Sequence, residues 1–476
     1  METNTTVPLI IGGKDVVLAS RERWAAIPNL NNFSTTPSFF QGATKELAIQ
    51  AVESSAHAFT TWSKTTPVER RRLLLKLAEV LRSRANELRQ ICAEEIHSGP
   101  LWADIIMNDS ISLVEEGAAL TTTMATGSIP FTQGESYGFV FKEPLGVILG
   151  IAPWNAPILL ALRAVIAPIA VGNVAILKGS ELSPRIHYLV ASLFREAGFP
   201  PGVLNFLLHR PEDASEIFDA LITHRAVKKC NFTGSTNVGR IIASQAAMAL
   251  KPVLLELGGK NFTIVLEDAN LDLAAQEIVT GAFLNNGQIC MSTDMVITST
   301  ALAPALESKI LALLKKIDCA STVISPAAKS KLEMLVADAQ AKGAKIYTAP
   351  IPPTVLSLQE FLPTVIIGLT KEMAFYETES FGPLVGIVEV ESEAQIIEIA
   401  EQATYGLSAS IISSNHYRAL KLSESIKAGA VHVNSKTVHD ESTLPHGGHG
   451  ESGWGRFGAR WGMEEFVQTK TVILNP

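Results

Sequence analysis

The stretch "VAILKGSELSPRIHYLVASLFREAGFPPGVLNFLLH" (174–209) decides the fold, because a short β-rich run, a helical pattern and a second β-rich run follow one another within it. The runs "GVILGIAP" (146–153) and "KKCNFTG" (228–234) continue the alternation on either side. Strand alternating with helix is typical of a parallel sheet that is covered on both faces by helices. We therefore predict the α/β class.

A second series of β-rich runs begins near "LLELGGK" (254–260) and continues through "PTVIIGL", "PLVGIVEV", "SASIISS" and "AVHVNS". Two α/β domains in series are expected, with the crossing from the first to the second near Glu256. The stretch 123–142 mixes Gly, Ser and Thr with scattered apolar residues and does not fit the alternation of strands and helices in either series. We interpret this stretch and the final "TKTVILNP" as an extended arm.

The composition describes a globular protein: of 476 residues, 47% are hydrophobic and 18% are charged, and mean hydropathy is +0.23. No apolar run is long enough to span a bilayer, and "METNTTVPLII" lacks the pattern of a secretory signal, so a cytoplasmic address is expected. A net charge of −8 without a basic stripe argues against nucleic acid as a partner. The four cysteines form no C-x-x-C pair, so no metal site is predicted.

Three residues are candidates for chemistry, and each has a structural alternative. Cys290 follows a turn signal in "NNGQICMSTDM" (285–295), where it is either a small buried hydrophobe or a nucleophile held at the end of the turn. Glu256 lies between leucines, where burial raises the pKa of a carboxylic acid and suits a general base; the alternative is a structural acid paired with a basic residue. Asn155 in "APWNAP" is either an oxyanion donor or a turn residue.

Other motifs favour a nucleotide. Gly234 and Gly239 in "FTGSTNVGR" follow a predicted strand and open a predicted helix, where backbone N–H groups can hold a pyrophosphate. Lys178 and Glu181 follow another strand, and a carboxylate there would accept hydrogen bonds from ribose and repel a 2′-phosphate, which favours NAD over NADP. A solvated surface pair is the alternative. Glu379 in "ESFGPL" either holds a second ribose or lies in a plain loop.

In this order and spacing the motifs resemble those of the aldehyde dehydrogenase superfamily over nearly the full chain. The resemblance implies two Rossmann-like parallel-sheet domains and a β-arm for oligomerisation. Cys290 then matches the nucleophile that forms a thiohemiacetal and, after hydride transfer, a thioester. The oxyanion would be held by the Asn155 amide and the backbone N–H of Cys290. Glu256 matches the base that activates water for hydrolysis.

The resemblance also implies a cofactor site, domain boundaries and an assembly. The cofactor is expected to be NAD, with NADP as the alternative, and the partners are a small aldehyde and further copies of the chain in a homodimer or homotetramer. The residues matched to cofactor contacts are Trp154, Lys178, Glu181, Gly234, Ser235, Gly239, Leu257, Glu379 and Phe381. The expected boundaries are 1–122 and 145–255 for the dinucleotide-binding domain, 256–455 for the catalytic domain, and 123–144 and 466–476 for the arm.

A finer resemblance, to the salicylaldehyde and vanillin dehydrogenase branch, rests on "GQICMST", on "LPHGGHGESGWGRFG" and on Ala156 within "PWNAP". A small Ala156 would open space for an aromatic ring. The expected pocket residues are Trp102, Ala156, Leu160, Arg163, Ile289, Met291 and Leu444, and a purely structural Arg163 is equally consistent with the sequence. An aliphatic or biosynthetic aldehyde, acyl transfer to coenzyme A and a non-catalytic binding protein remain as alternatives.

Overall fold

The computed structural model describes residues 6–28, 39–351 and 356–476, so residues 1–5 of the N-terminal segment discussed above lie outside this range. The chain divides into two compact units. Unit 1 comprises Met1–Leu255, Asp440–Pro445 and Gly455–Pro476, and unit 2 comprises Glu256–His439 and His446–Trp454. Within the described residues, no helix combines the length and the apolar composition needed to cross a membrane.

The helices and strands are numbered in chain order. The α-helices are α1 (Lys45–Trp62), α2 (Pro67–Ser83), α3 (Ala85–Ile96), α4 (Pro100–Met124), α5 (Pro157–Ala170), α6 (Pro184–Glu196), α7 (Ala214–Ile222), α8 (Thr236–Met248), α9 (Leu271–Phe283), α10 (Ala303–Leu314), α11 (Pro326–Ala341), α12 (Glu393–Gln402), α13 (His416–Ser423) and α14 (Ala459–Glu464). The strands are β1 (Thr6–Val7), β2 (Leu9–Ile11), β3 (Lys14–Val16), β4 (Trp24–Ala26), β5 (Phe39–Gln41), β6 (Tyr137–Pro144), β7 (Val147–Ile151), β8 (Val174–Lys178), β9 (Leu204–Leu207), β10 (Val227–Thr233), β11 (Val253–Glu256), β12 (Asn261–Val265), β13 (Thr293–Ser299), β14 (Ser321–Thr322), β15 (Lys345–Thr348), β16 (Glu360–Phe361), β17 (Thr364–Ile367), β18 (Leu384–Val390), β19 (Tyr405–Gly406), β20 (Ser408–Ile412), β21 (Ala430–Val433), β22 (His449–Gly450), β23 (Gly453–Trp454) and β24 (Val467–Leu474).

Unit 1 is built on a mostly parallel sheet with the strand order β11-β10-β7-β8-β9-β2-β3. Strands β10, β7, β8 and β9 pair in parallel, while β2 adds to β9 antiparallel and pairs with β3. Parallel strands that are buried on both faces read as continuous apolar runs, and every residue of β7 is buried. The predicted α/β class is confirmed. The antiparallel strands before α1 are an addition, because short strands at a sheet edge carry little periodic signal.

Unit 2 has a second sheet with the order β15-β17-β18-β13-β12-β20-β21, in which only β15 runs antiparallel to its neighbour. Apolar residues of α11 and α12, such as Leu332 and Ile396, pack on one side of this sheet. Residues of α9 and α10, such as Ile278 and Leu306, pack with a separate cluster of strand residues. The sheet is therefore covered by helices on both faces.

A two-stranded antiparallel ribbon joins β6 to β24 of unit 1 over eight residue pairs, from Tyr137 with Leu474 to Pro144 with Val467. The ribbon lies within the predicted arm, 123–144 and 466–476, although α4 continues to Met124, where its last turn is still partly buried. A two-stranded ribbon alone is marginally stable in water. The role of the arm in oligomerisation stays a prediction.

Candidate active site

Cys290 lies on a short loop between α9 and β13 of unit 2. A single 3-10 turn (Leu284–Gly287) ends α9, and within it Asn285, Asn286 and Gly287 all adopt left-handed φ angles, at 50°, 58° and 69°. Asparagine and glycine are the residues that tolerate this conformation best, which explains the "NNG" sequence. The turn stops the helix and leads the chain to β13, so Cys290 sits at the end of a turn, as the sequence indicates.

Hydrogen bonds to consecutive backbone carbonyls fix this loop. The Asn261 side-chain amide donates to the carbonyls of Cys290 (2.8 Å) and Ser292 (2.9 Å), and the Thr437 hydroxyl donates to that of Met291 (2.7 Å). Neither Asn261 nor Thr437 was identified from the sequence, because their partners are backbone atoms. Rigid support of this kind holds a reactive side chain in one position.

Gly287 lies directly against the backbone of Gly382. A Cβ atom at this position would lie 2.1 Å from the carbonyl oxygen of Gly382. We expect Gly287→Ala to displace the loop and to lower kcat at least tenfold, because strain of this kind costs on the order of 1–3 kcal/mol before the clash is added. The matched control is Gly368→Ala, which imposes a similar positive φ (78°) but has no atom within 4 Å of the added Cβ. Steady-state kinetics of the two variants measure the effect, and equal activities would contradict the account of the loop.

The four cysteines differ in their surroundings. Cys92 and Cys230 are buried, and burial raises the pKa of both thiols above the ordinary value. Cys319 is exposed, and Cys290 is partly buried. A nucleophilic thiol must be reachable and close to groups that favour the thiolate. Cys290 combines partial exposure with a fixed loop.

Glu256 ends β11 and is 0% exposed. The chain after it is fixed by Ser452, whose carbonyl accepts from the N–H of Leu257 (3.0 Å) and whose hydroxyl donates to the carbonyl of Gly258 (2.7 Å). The Nε2 atom of His446, a largely buried residue, is 3.9 Å from a carboxylate oxygen of Glu256. His446 was not identified as a site residue from the sequence.

Buried charged groups surround the "ELGGK" segment (256–260). Lys260 donates to Asp294 (3.1 Å) and to the carbonyl of Thr378 (2.9 Å), and burial lowers the pKa of its amine to about 8. Glu379 accepts a hydrogen bond from the N–H of Gly259 (3.2 Å). Burial, with a contribution from Asp294, raises the pKa of Glu379 to about 7. The "ELGGK" segment therefore brings the cofactor candidate Glu379 next to the chain that follows Glu256.

Asn155 of unit 1 is buried at the turn between β7 and α5. Its backbone carbonyl accepts a hydrogen bond from the indole N–H of Trp102 (3.0 Å). Ala156 is the N-cap of α5, and both Ala156 and Leu160 are buried. The predicted pocket residues Trp102, Ala156 and Leu160 are therefore buried near the turn that carries Asn155. Leu444, also predicted to line the pocket, is 48% exposed.

Arg163 forms an ion pair with Asp440 and lies over the ring of Phe457, with 5.9 Å between the guanidinium carbon and the ring centre. Its side chain is only 5% exposed. A buried guanidinium requires a paired acid, and Asp440 provides one. This geometry favours the structural interpretation of Arg163 over a contact with substrate.

A cavity of about 420 Å³ opens beside the carboxyl ends of β7, β8 and β10 in unit 1. Lys178 and Glu181 lie on its polar side, with 4.0 Å between the Lys178 Nζ and a Glu181 carboxylate oxygen. The rest of the lining is mostly apolar: Ile151, His209, Pro211, Ala214, Ser215, Ile217, Phe218, Leu221, Phe232, Val238, Ile241, Ile242 and Gln245. The stretch 209–221 contributes several of these residues.

The N-terminus of α8 adjoins this cavity. Ser235 caps the helix by accepting from the N–H of Val238, and the N–H of Gly239 bonds to the carbonyl of Ser235 (2.9 Å). Gly234 has no room for a side chain, because a Cβ there would lie 2.5 Å from the ring of Phe232. Trp154 belongs to unit 1 with these residues. The remaining candidates lie in unit 2: Leu257, Ile289, Met291, Glu379 and Phe381.

Comparisons with known proteins identify the family of the chain. The profile of the aldehyde dehydrogenase family matches residues 26–472. A vanillin dehydrogenase of Pseudomonas fluorescens is 38% identical over 442 residues, covering 91% of this chain and 90% of that protein. The crystal structure of a salicylaldehyde dehydrogenase from Pseudomonas putida G7, complexed with salicylaldehyde, has a TM-score of 0.93 and 34% identity and covers 99% of this chain and 98% of that one.

A betaine aldehyde dehydrogenase from Staphylococcus aureus, solved in complex with NAD+, has a TM-score of 0.92 and 27% identity and covers 99% of this chain and 95% of that one. The family profile spans more than half of the chain, and the vanillin dehydrogenase exceeds 30% identity over most of both lengths. The chain belongs to the aldehyde dehydrogenase family and is an oxidoreductase enzyme.

Proposed function

We propose that the protein oxidises an aromatic aldehyde, similar to salicylaldehyde or vanillin, to the carboxylic acid with NAD as the oxidant. The observation that carries this proposal is the Cys290 loop, in which a partly exposed thiol is held by hydrogen bonds to the carbonyls of residues 290–292. The family supplies the reaction class. The names of the similar proteins supply the candidate substrates.

Each residue has a distinct task in this proposal. The Cys290 sulfur attacks the aldehyde carbon, and the Asn155 side-chain amide and the Cys290 backbone N–H stabilise the resulting oxyanion. NAD, when bound, would supply the hydride acceptor that converts the thiohemiacetal on Cys290 into a thioester. Glu256 removes a proton from water, whose oxygen attacks the thioester carbon and releases the acid and the Cys290 thiol.

The cavity of unit 1 fits an adenosine group. Its walls are mostly apolar, which suits the flat adenine ring. The Glu181 carboxylate at its edge can accept hydrogen bonds from ribose hydroxyls. The N-terminus of α8 adjoins the cavity and can receive a phosphate. A negative Glu181 disfavours a second negative group at the ribose 2′ position. We therefore propose NAD rather than NADP.

Neutralising Glu181 tests the cofactor assignment. We expect Glu181→Gln to raise the KM for NAD about tenfold, because a hydrogen bond to a charged group contributes roughly 1.5–3 kcal/mol. The same change removes the repulsion of a 2′-phosphate, so the ratio of kcat/KM for NADP to that for NAD rises. Glu212→Gln removes the same charge from unit 1 at a residue outside the cavity lining and serves as the control. Unchanged kinetics in Glu181→Gln would contradict the proposed ribose contact.

A substrate panel tests the proposed aromatic preference. The small, buried Ala156 and the neighbouring Trp102 and Leu160 form an apolar region on α4 and α5 that suits a flat ring. We expect kcat/KM for benzaldehyde, salicylaldehyde and vanillin to exceed that for hexanal, measured as NADH formation at 340 nm. Equal or better turnover of hexanal would favour the aliphatic alternative. Formation of an acyl-CoA when coenzyme A is added would identify an acylating enzyme instead.

A further inference from the structure

His446 approaches the Glu256 carboxylate within unit 2. Its Nε2 atom is 3.9 Å from Oε1 of Glu256, and the two residues are 9% and 0% exposed. This separation exceeds an ordinary hydrogen bond but lies within the range of an ion pair. The chain brings the two together although they are far apart in sequence.

We propose that His446 is a positioning residue that acts through Glu256 by stabilising its ionised carboxylate during thioester hydrolysis. This inference rests on the proposed role of Glu256 as the base. A carboxylate buried away from water favours its neutral form, which cannot accept a proton from water. An imidazole N–H, and more strongly an imidazolium, directed at the carboxylate favours the ionised form.

Charged groups near the segment that follows Glu256 have partners of their own. Lys260 donates to Asp294, and Glu379 accepts from the backbone N–H of Gly259. We expect these contacts to persist when His446 is replaced, because neither of them involves the imidazole. A change caused by the replacement therefore reports the imidazole and not the rest of the cluster.

Loss of the imidazole is expected to shift the pH dependence of hydrolysis in one direction. Without it, the Glu256 carboxyl group stays protonated to a higher pH. The acidic limb of the pH–rate profile, where hydrolysis slows as the pH falls, therefore moves to higher pH. We expect His446→Phe to move this limb by about one pH unit, the lower end of the effect of one opposite charge on a carboxylate. At pH values above the limb the rate returns to near the wild-type plateau. His446→Gln keeps a hydrogen-bond donor without the charge and is expected to give a smaller shift in the same direction.

The experiment follows the acetyl-enzyme that p-nitrophenyl acetate forms on Cys290, so no cofactor is needed. Its decay is measured by intact-protein mass spectrometry between pH 5.5 and 9 for the wild type, both His446 variants and Glu256→Gln. His449→Gln is the control, because His449 is an exposed histidine three residues further along the same segment. It is expected to match the wild type.

The outcomes separate this inference from the function on which it rests. Superimposable profiles of the wild type and His446→Phe, or a uniform fall in rate without a shift, would overturn the role of His446 while that of Glu256 stands. A Glu256→Gln variant that keeps the wild-type rate and acidic limb would overturn the role of Glu256 itself. If His446→Phe fails to fold, as judged by circular dichroism, the shift of His446→Gln decides.

Discussion

Replacement of Cys290 by alanine is expected to lower aldehyde oxidation by at least about 10⁴-fold with either NAD or NADP, because loss of a covalent nucleophile removes the whole reaction path. The protein is expected to keep its fold, since hydrogen bonds to the carbonyls of residues 290–292 hold the loop. NADH formation at 340 nm with benzaldehyde measures the activity. NAD binding, measured by the quenching of tryptophan fluorescence, is expected to persist.

Cys319→Ala is the matched control, because Cys319 is an exposed thiol of the same unit. It is expected to retain the wild-type kcat. If Cys290→Ala kept more than a small percentage of the wild-type rate, or if Cys319→Ala lost activity to the same extent, the nucleophile would have to be assigned elsewhere.

Replacement of Glu256 by glutamine is expected to stop the reaction at the thioester. One equivalent of NADH forms rapidly, and the steady-state rate then falls by about 10²–10⁴-fold, the usual contribution of a general base. The amide keeps the size of the side chain but cannot take a proton from water. Stopped-flow absorbance at 340 nm separates the first turnover from the later ones.

Glu277→Gln is a suitable control for this variant, since Glu277 is a partly buried acid of unit 2 that accepts from the backbone N–H of Lys436 (2.8 Å). It is expected to show the wild-type time course. A Glu256→Gln variant that lost the burst and the steady-state rate together would show instead that Glu256 acts before hydride transfer, for example on the Cys290 thiol.

The alternation of strand and helix was readable from the sequence because each element has its own periodicity. The runs around Ile148, Ile176 and Phe206 are continuous and apolar, as strands buried on both faces must be. Strand β13 was not predicted, because its first residues belong to the "NNGQICMSTDM" motif, in which the turn signal is the dominant pattern. The small strands before α1 contain only two or three residues each, too few for a period to appear.

The candidate site was predictable where a motif places its residues along the chain. Each of the three residues has a local signal in the sequence. Cys290 follows a turn, Glu256 is an isolated acid among leucines, and Asn155 lies between two prolines. The supporting residues were not predictable in this way. Asn261 and Thr437 act on backbone carbonyls, and the approach of His446 to Glu256 depends on tertiary packing that joins distant segments.

Arg163 illustrates the limit of spacing arguments. Its position on α5, two turns after Asn155, was compatible with either a substrate contact or a structural role. Its ion pair depends on Asp440, which is remote in sequence. Periodicity gives the face of a helix on which a residue lies, but the partner across that face is set by the fold.

The central claim is tested most directly by mass spectrometry of the acyl-enzyme in Glu256→Gln. The variant is mixed with NAD and benzaldehyde, quenched in acid and digested, and the mass of each cysteine-containing peptide is measured. We expect a benzoyl adduct on the peptide that contains Cys290 and on no other. A benzoyl group found on Cys319, or NADH formed without any acylated cysteine, would contradict it.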